Sequence, residues 1–332
     1  MDKLLQSYLG QIEVGGAQTY KNLTAYPVLS NQLSALDYIT LDEALSQGLI
    51  EIAEIDKDGS VPELKLTNKS EKMILILDGE ELVGAKQNRI VNTTMLIPKM
   101  ETVVIPVSCV EQGRWVYKTE SFYSEERLAS PALRAMKAEH VRNTVRASGE
   151  YRSDQGAIWQ QISEKASRRG TRSSSMAMAD IYDQDRPELE GYLEHFRAVP
   201  SQVGAVFLIN GKLVGMDCVD KSDTFEKLFK KLVESYALDA VDWFDPKAES
   251  KASRSDVDAF LKVIADSKTE NHKSVGLGID LRLDSPGCVG FALAYGEILH
   301  LSVFSRDKKY GDYGTGARMR RFSNRRSHRS QQ

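Results

Sequence analysis

The densest group of residues able to do chemistry follows Asp78-Gly79 in the sequence. It contains two carboxylates, two cations and an amide: Glu80, Glu81, Lys86, Gln87 and Arg89. Carboxylates act as general acids or bases, and lysine and arginine hold phosphate or carboxylate groups. Asp-Gly is a strong hairpin signal, so residues 86–89 are predicted to lie on the returning strand. Such a strand is either an anion clamp or the solvated face of a one-sided sheet.

A second polar group stands at the end of a strand predicted over Thr102 to Val110. Glu111 is a further candidate acid or base, and Gln112 and Arg114 are candidates for orienting a ligand. Arg114 to Thr119 is predicted to pair with this strand. Cys109 continues its apolar face, and no histidine is near it in sequence. We therefore expect a packed structural thiol rather than a nucleophile.

Three arginines lie in a short segment between two predicted helices: Arg168, Arg169 and Arg172. The next helix is predicted to begin at Ser173 or Ser174, so that the unpaired N–H groups of its first turn would face these arginines and bind an anion. The alternative is that the serines cap the helix and the arginines are solvated. Gln155 and Trp159 on the preceding helix are predicted near the same place, with Trp159 as a stacking surface or as a core residue.

The last predicted strands carry the remaining candidates. Asp280 and Arg282 share the polar face of one strand, where they either contact a ligand or form an exposed ion pair. His300 is interpreted as a structural hydrogen-bonding residue. The sequence contains no metal-binding motif, so neither a metal nor another cofactor is expected.

The charge of the chain is unevenly distributed. The 332 residues carry a formal net charge of −3, yet the final segment, 314–332, holds six arginines and no acid. A second basic bias runs from 127 to 172. Basic segments on an acidic chain favour a small anionic ligand over general nucleic-acid binding. The tail itself is predicted to be disordered and to make weak, salt-sensitive contacts with nucleic acid.

Three widely spaced cysteines exclude a disulfide framework and a Cys-x-x-Cys zinc or redox motif. The N-terminus lacks the apolar core of a secretory signal, and no stretch approaches the ~20 apolar residues of a membrane span. We therefore expect a cytoplasmic protein that does not enter a membrane.

Local signals predict an α+β fold with antiparallel sheets, a central helical segment and a C-terminal β-meander. Thr40 with Glu43 forms a capping box, Gly170 ends a helix, and Asn210-Gly211 marks a hairpin. The predicted parts are a mostly β region (1–122), a helical and α+β region (123–306) and the basic tail (307–332).

The chain resembles a bacterial family named for its association with ADP-ribosylglycohydrolases and rhodanese-phosphatase proteins. The resemblance rests on six segments: LDGEELVGAKQNRI (77–90), IPVSCVEQGRW (105–115), DQGAIW (154–159), QVGAVFLINGKLVG (202–215), SYALDA (235–240) and GLGIDLR (276–282). The resemblance implies the binding or processing of an ADP-ribose-like or NAD-derived nucleotide. An enzyme of this kind would catalyse hydrolysis or transfer, with Glu80, Glu81 or Glu111 as acid or base. The alternative is a non-catalytic nucleotide sensor or an RNA-associated accessory protein.

Overall fold

The computed structural model describes residues 2–31, 34–56, 59–247 and 253–306. The predicted disordered tail, 307–332, lies outside these ranges. The described residues form seven helices: α1 (Lys3–Leu9), α2 (Leu41–Ser46), α3 (Pro131–Ser148), α4 (Gln155–Arg169), α5 (Met178–Leu193), α6 (Ser222–Asp242) and α7 (Arg254–Ala265).

Nine strands form one large antiparallel sheet: β1 (Glu13–Val14), β2 (Gln18–Tyr20), β3 (Leu23–Leu29), β13 (Gln202–Ile209), β14 (Lys212–Val219), β15 (Lys268–Lys273), β16 (Ile279–Asp284), β17 (Cys288–Tyr295) and β18 (Glu297–Ser305). Their order is β1-β3-β13-β14-β18-β17-β16-β15, and β2 also pairs with β3. The sheet therefore takes strands from both sides of the predicted boundary at residue 122. That boundary stays a prediction.

Two smaller sheets form between β3 and α3: β4 (Tyr38–Thr40), β5 (Ile50–Glu54), β6 (Glu63–Asn68), β7 (Met73–Ile76), β8 (Glu81–Gly84), β9 (Arg89–Val91), β10 (Met95–Ile97), β11 (Thr102–Cys109) and β12 (Phe122–Tyr123). One has the order β10-β7-β4, and β4 runs parallel to β7. The other has the order β12-β8-β9-β11-β6-β5. Apolar side chains of both sheets form a common core.

The large sheet is covered on both faces, which explains the long apolar runs in its strands. Helices α3 to α6 contribute to one hydrophobic core with residues such as Phe207 and Tyr236. Helices α1 and α7 contribute to a second core with Leu5 and Phe260. The predicted α+β class and the C-terminal meander of β16, β17 and β18 are confirmed.

Several local predictions are confirmed because they depend on neighbouring residues only. The Thr40–Glu43 capping box forms at the start of α2. Gly170 ends α4 with φ +66°, in the left-handed region that glycine tolerates. Asn210 and Gly211 both have positive φ and join β13 to β14.

Other local predictions are wrong because tertiary pairing competes with them. Asp78-Gly79 forms no hairpin, since β7 pairs with β10 and β4 whereas β8 pairs with β9 and β12. Residues 114–119 form no strand. Helix α5 begins at Met178 rather than at Ser173 or Ser174, because the preceding residues extend along the end of β11. There the Gly113 N–H donates to Ser175 O (2.7 Å).

Candidate functional site

The turn between β8 and β9 carries the polar run that the sequence singles out. Lys86, Gln87 and Asn88 lie in this turn, and Arg89 begins β9. The prediction that residues 86–89 lie on one strand is therefore wrong. All four residues are buried, and Arg89 is 0% exposed. The interpretation as a solvated hairpin face is therefore wrong. Because β9 lies inside its sheet, between β8 and β11, these polar groups are held in the interior.

Glu81 and Glu111 meet at Asn88. The Asn88 side-chain Nδ2 donates to Glu81 Oε1 (3.3 Å), and the Asn88 backbone N–H donates to Glu111 Oε2 (3.1 Å). Arg114 Nη2 donates to Glu111 Oε2 (2.6 Å) and to Asn88 Oδ1 (3.1 Å). We call these four residues the carboxylate cluster. It unites the two polar groups that the sequence shows as separate.

The two carboxyl groups of the cluster have opposite electrostatic environments. Burial raises the pKa of Glu81 to about 7, although Arg127 and Asn88 favour its charged form. Burial also disfavours the charged form of Glu111, but Arg114 and the Asn88 N–H outweigh it and lower the pKa of Glu111. Neighbouring carboxyls whose pKa values are pushed apart can act as proton donor and base at one pH.

Glu80 belongs to a different contact, because neighbouring residues at the start of a strand point in opposite directions. Its carboxylate accepts hydrogen bonds from Lys231 Nζ on α6 and from the Leu77 backbone N–H (2.8 Å). Lys231 also binds Asp42. Glu80 therefore ties α6 to the segment before β8, and the structure does not bring it into the carboxylate cluster.

Arg89 presents an unsatisfied edge in the interior. Its Nη1 donates to the backbone oxygen and to Oε1 of Gln87, both at 3.1 Å. Among the described residues, Nε and Nη2 have no hydrogen-bond partner. Nη2 forms a buried ion pair with Glu54 Oε1 at 3.9 Å, a distance that is too long for a hydrogen bond. The free Nε–Nη2 edge is able to bind two oxygens of a phosphate or carboxylate in parallel.

Two aromatic side chains that sequence reasoning did not select, Trp115 and Tyr117, lie beside Lys86, and Trp115 also lies beside Arg89. The Lys86 ammonium lies 5.2 Å from the Trp115 ring centroid and 5.1 Å from that of Tyr117. The Arg89 guanidinium carbon lies 5.7 Å from the Trp115 centroid. The sequence signal that could have identified them is the presence of two aromatic residues, Trp115 and Tyr117, in a mostly polar segment. Gln112 is exposed on the same segment.

Helix α4 packs against the end of β11, next to the carboxylate cluster. It contributes Gln155 and Trp159, and β11 contributes Cys109. The Gln155 side chain accepts from the Cys109 backbone N–H (2.8 Å) and donates to its carbonyl (2.7 Å), as a neighbouring strand would. The Cys109 thiol is buried and donates to Gln87 Oε1 (3.1 Å). Burial raises the pKa of this thiol, against the opposing effects of Arg89 and the Trp159 indole. These contacts fit the expected packed thiol.

The three arginines of the predicted anion loop do not converge on one ligand position. Arg168 forms two hydrogen bonds with the Asp242 carboxylate, and Arg169 forms two with that of Asp185. Arg172 is exposed. The helix predicted to begin at Ser173 or Ser174 begins at Met178 instead, so its first turn does not follow these arginines directly in sequence.

Asp280 and Arg282 are buried, so their interpretation as an exposed ion pair is wrong. Arg282 Nε donates to Asp280 Oδ2 (2.6 Å) and Nη2 donates to Thr93 Oγ1 (2.8 Å). The guanidinium lies between the Tyr151 and Phe291 rings. These contacts join the pair to Thr93, Tyr151 and Phe291 rather than to the carboxylate cluster.

A second set of charged residues is buried between α3 and the large sheet. We call it the buried network: Asp78, Arg134, Lys137, Asp217 and His300. Arg134 forms two hydrogen bonds with the Asp217 carboxylate (3.0 and 2.6 Å), and Lys137 binds Asp78. His300 Nδ1 is 2.8 Å from Thr94 Oγ1, in keeping with its expected structural role. This network fixes the segment that precedes Glu80 and Glu81.

The described residues contain no group of three His, Cys, Asp or Glu side chains able to hold a metal ion. None of the described helices has both the length and the apolar character needed to cross a membrane. A cavity of about 310 Å³ is lined by Gln11, Glu13, Leu29, Ser30 and Asn31. Its lining contains a carboxylate but no cation, so its chemistry does not match an anion site.

A comparison with protein families finds a match over most of the described residues. A family model described as ARG and Rhodanese-Phosphatase-superfamily-associated Protein domain, ARPP-1, matches residues 11–304. The chain belongs to this family. The ARPP-1 match includes the carboxylate cluster, Arg89, the buried network and all three sheets except Ser305, the last residue of β18. No curated protein and no solved structure matches the chain.

Proposed function

We propose that this ARPP-1 domain binds a phosphorylated nucleotide of the ADP-ribose class beside the carboxylate cluster. The observation that carries the proposal is the buried Nε–Nη2 edge of Arg89, which has no hydrogen-bond partner among the described residues. A phosphate group would accept hydrogen bonds from both donors. The ADP-ribose class comes from the family resemblance. Because Arg89 is buried, binding requires side chains around it, such as Trp115, to move outward.

The carboxylate cluster supports hydrolysis of the bound nucleotide. Glu111, held ionised by Arg114, is suited to take a proton from water, whose oxygen attacks the substrate. Glu81, held protonated up to a pH of about 7, is suited to protonate the leaving oxygen. A proton returning from Glu111 to Glu81 through solvent restores the starting state. The rival proposal, a nucleotide sensor, predicts binding without turnover.

Calorimetric titration with ADP-ribose tests the binding site. Arg89→Gln removes the guanidinium, and we expect affinity to fall about 10- to 100-fold, as for the loss of a charge-assisted hydrogen bond. Arg172→Gln is the matched control, because Arg172 is an exposed arginine of the predicted anion loop. Unchanged affinity in Arg89→Gln with a loss in Arg172→Gln would move the site to that loop. Circular dichroism and the melting temperature check that both variants fold.

Product analysis on the same nucleotide separates the enzyme from the sensor. Glu111→Gln should bind ADP-ribose derivatives within a few-fold of the unmodified protein and turn them over at least 100-fold more slowly. Binding without any product from the unmodified protein would favour the sensor.

A further inference from the structure

Three consecutive large side chains stand exposed in the segment whose Trp115 ring lies beside Arg89. Trp115 is 44% exposed, Val116 72% and Tyr117 48%, in a segment without helix or strand. Large apolar side chains grouped in this way on a surface mark binding sites more often than isolated ones do. Trp115 and Tyr117 also lie beside the buried Lys86, which points to a ligand that carries negative charge.

The two rings share one cation. Lys86 Nζ lies just over 5 Å from both ring centroids, within the distance of a cation–π contact. Arg89 approaches the Trp115 ring as well. The two aromatic residues thus contact Lys86 in the β8–β9 turn, three residues before the proposed phosphate-binding group Arg89, while about half of each residue remains exposed.

We propose that Trp115 and Tyr117 stack against the base of a nucleotide whose phosphate binds Arg89. This inference rests on the proposed function and adds the residues that select nucleotides over other phosphorylated compounds. Base–aromatic stacking contributes about 1–3 kcal/mol per base and tolerates different bases. Lys86 contributes positive charge between the rings and the phosphate. The selected ligand class is therefore a nucleoside diphosphate and its derivatives.

Two probes separate the base from the phosphate: ADP, which has both, and inorganic pyrophosphate, which has no base. Binding is measured by calorimetry, and in parallel by quenching of tryptophan fluorescence. Trp115→Leu and Tyr117→Leu should each weaken ADP binding about 5- to 100-fold and leave pyrophosphate binding within twofold. Trp115→Phe should recover most of the ADP affinity. Arg89→Gln should weaken both probes.

Tyr295→Leu is the control, because Tyr295 is an exposed aromatic residue at the end of β17. It should leave both affinities unchanged. Equal affinity of the unmodified protein for ADP and pyrophosphate would overturn the stacking proposal and retain the phosphate site. An equal loss of both probes in Trp115→Leu would also overturn it, since the ring would then only support Arg89. If neither probe binds, the proposed function fails together with the inference.

Discussion

At the scale of the residue, burial gives similar side chains different properties. Glu80, Glu81 and Glu111 are all buried glutamates. Lys231 donates to Glu80, Arg114 donates to Glu111, and Asn88 donates to Glu81. A neutral amide stabilises a carboxylate less than a cation at hydrogen-bond distance does. Glu81, whose pKa is raised, therefore carries a proton near neutral pH more readily than Glu111, whose pKa is lowered.

The raised pKa of Glu81 predicts a specific pH dependence of stability. Its pKa is about 7 in the folded protein against 4.5 for an ordinary glutamate. Between these values the unfolded chain loses its proton and the folded chain keeps it, so stability falls as the pH rises through this window. The loss amounts to about 3 kcal/mol. Glu81→Gln should remove this contribution and flatten the dependence of unfolding free energy on pH between about 4.5 and 7.

Urea denaturation at several pH values measures the effect. Glu190→Gln is the control, because Glu190 is an exposed residue of α5. Its profile should run parallel to that of the unmodified protein. A parallel profile for Glu81→Gln would show that Glu81 is ionised in the folded protein and would remove it as a proton donor.

At the scale of the element, α4 is held against β11 at its first residue. Asp154 accepts a hydrogen bond from the Ala157 N–H and caps the helix, and Gln155 binds the Cys109 backbone. The cap and the anchor are adjacent in sequence. The start of α4 therefore fixes the end of β11, from which Glu111 and Arg114 continue.

Removal of this cap should loosen the start of α4. Asp154→Ala should lower the free energy of unfolding by about 1 kcal/mol, because the N–H groups of the first turn lose their acceptor. Asp154→Asn should retain most of the stability, since asparagine also caps helices. Thermal and urea unfolding of the two variants check this. Equal losses in both variants would contradict a capping role and point to the charge of Asp154.

At the scale of the whole molecule, the buried network connects the small sheets to the large one. Asp217 lies on β14, Arg134 on α3, and Asp78 on the segment between β7 and β8. Asp217 also accepts a hydrogen bond from the Tyr236 hydroxyl of α6 (2.8 Å). Burial opposes ionisation of Asp217, but Arg134 and His300 outweigh it and lower the pKa of Asp217. One carboxylate thus joins a strand to two helices.

Loss of this carboxylate should destabilise the whole fold. Asp217→Asn leaves the buried Arg134 without its principal anion, and such a change costs about 3–5 kcal/mol. Asp258→Asn is the control, because it breaks the exposed Arg254–Asp258 pair, which contributes at most about 1 kcal/mol. Urea denaturation should show a lower midpoint for Asp217→Asn in a single transition. Similar midpoints for the two variants would argue against a stabilising network.

The nucleic-acid contact expected from the arginine-rich tail stays a prediction, since residues 307–332 lie outside the described ranges. Arg306, the last described residue, binds Glu139 and Asp284 through its guanidinium. Arg306 is therefore tied to the folded region immediately before the predicted basic tail.

The sequence by itself determined the features that depend on local interactions. The capping box at Thr40, the left-handed end of α4 at Gly170 and the hairpin at Asn210-Gly211 follow from residues a few positions apart. The meander was equally predictable, because its strands are long, apolar and joined by short turns. The α+β class followed from the order of these elements.

Only the tertiary structure decided which charged residues are buried and what they contact. The sequence of residues 86–89 is also compatible with a solvated face, and their burial results from the position of β9 between β8 and β11. The arginine loop had suitable residues, but Asp185 and Asp242, distant in sequence, already bind two of them. The site at Glu81, Arg89 and Glu111 arises from long-range strand pairing, which local propensity does not specify.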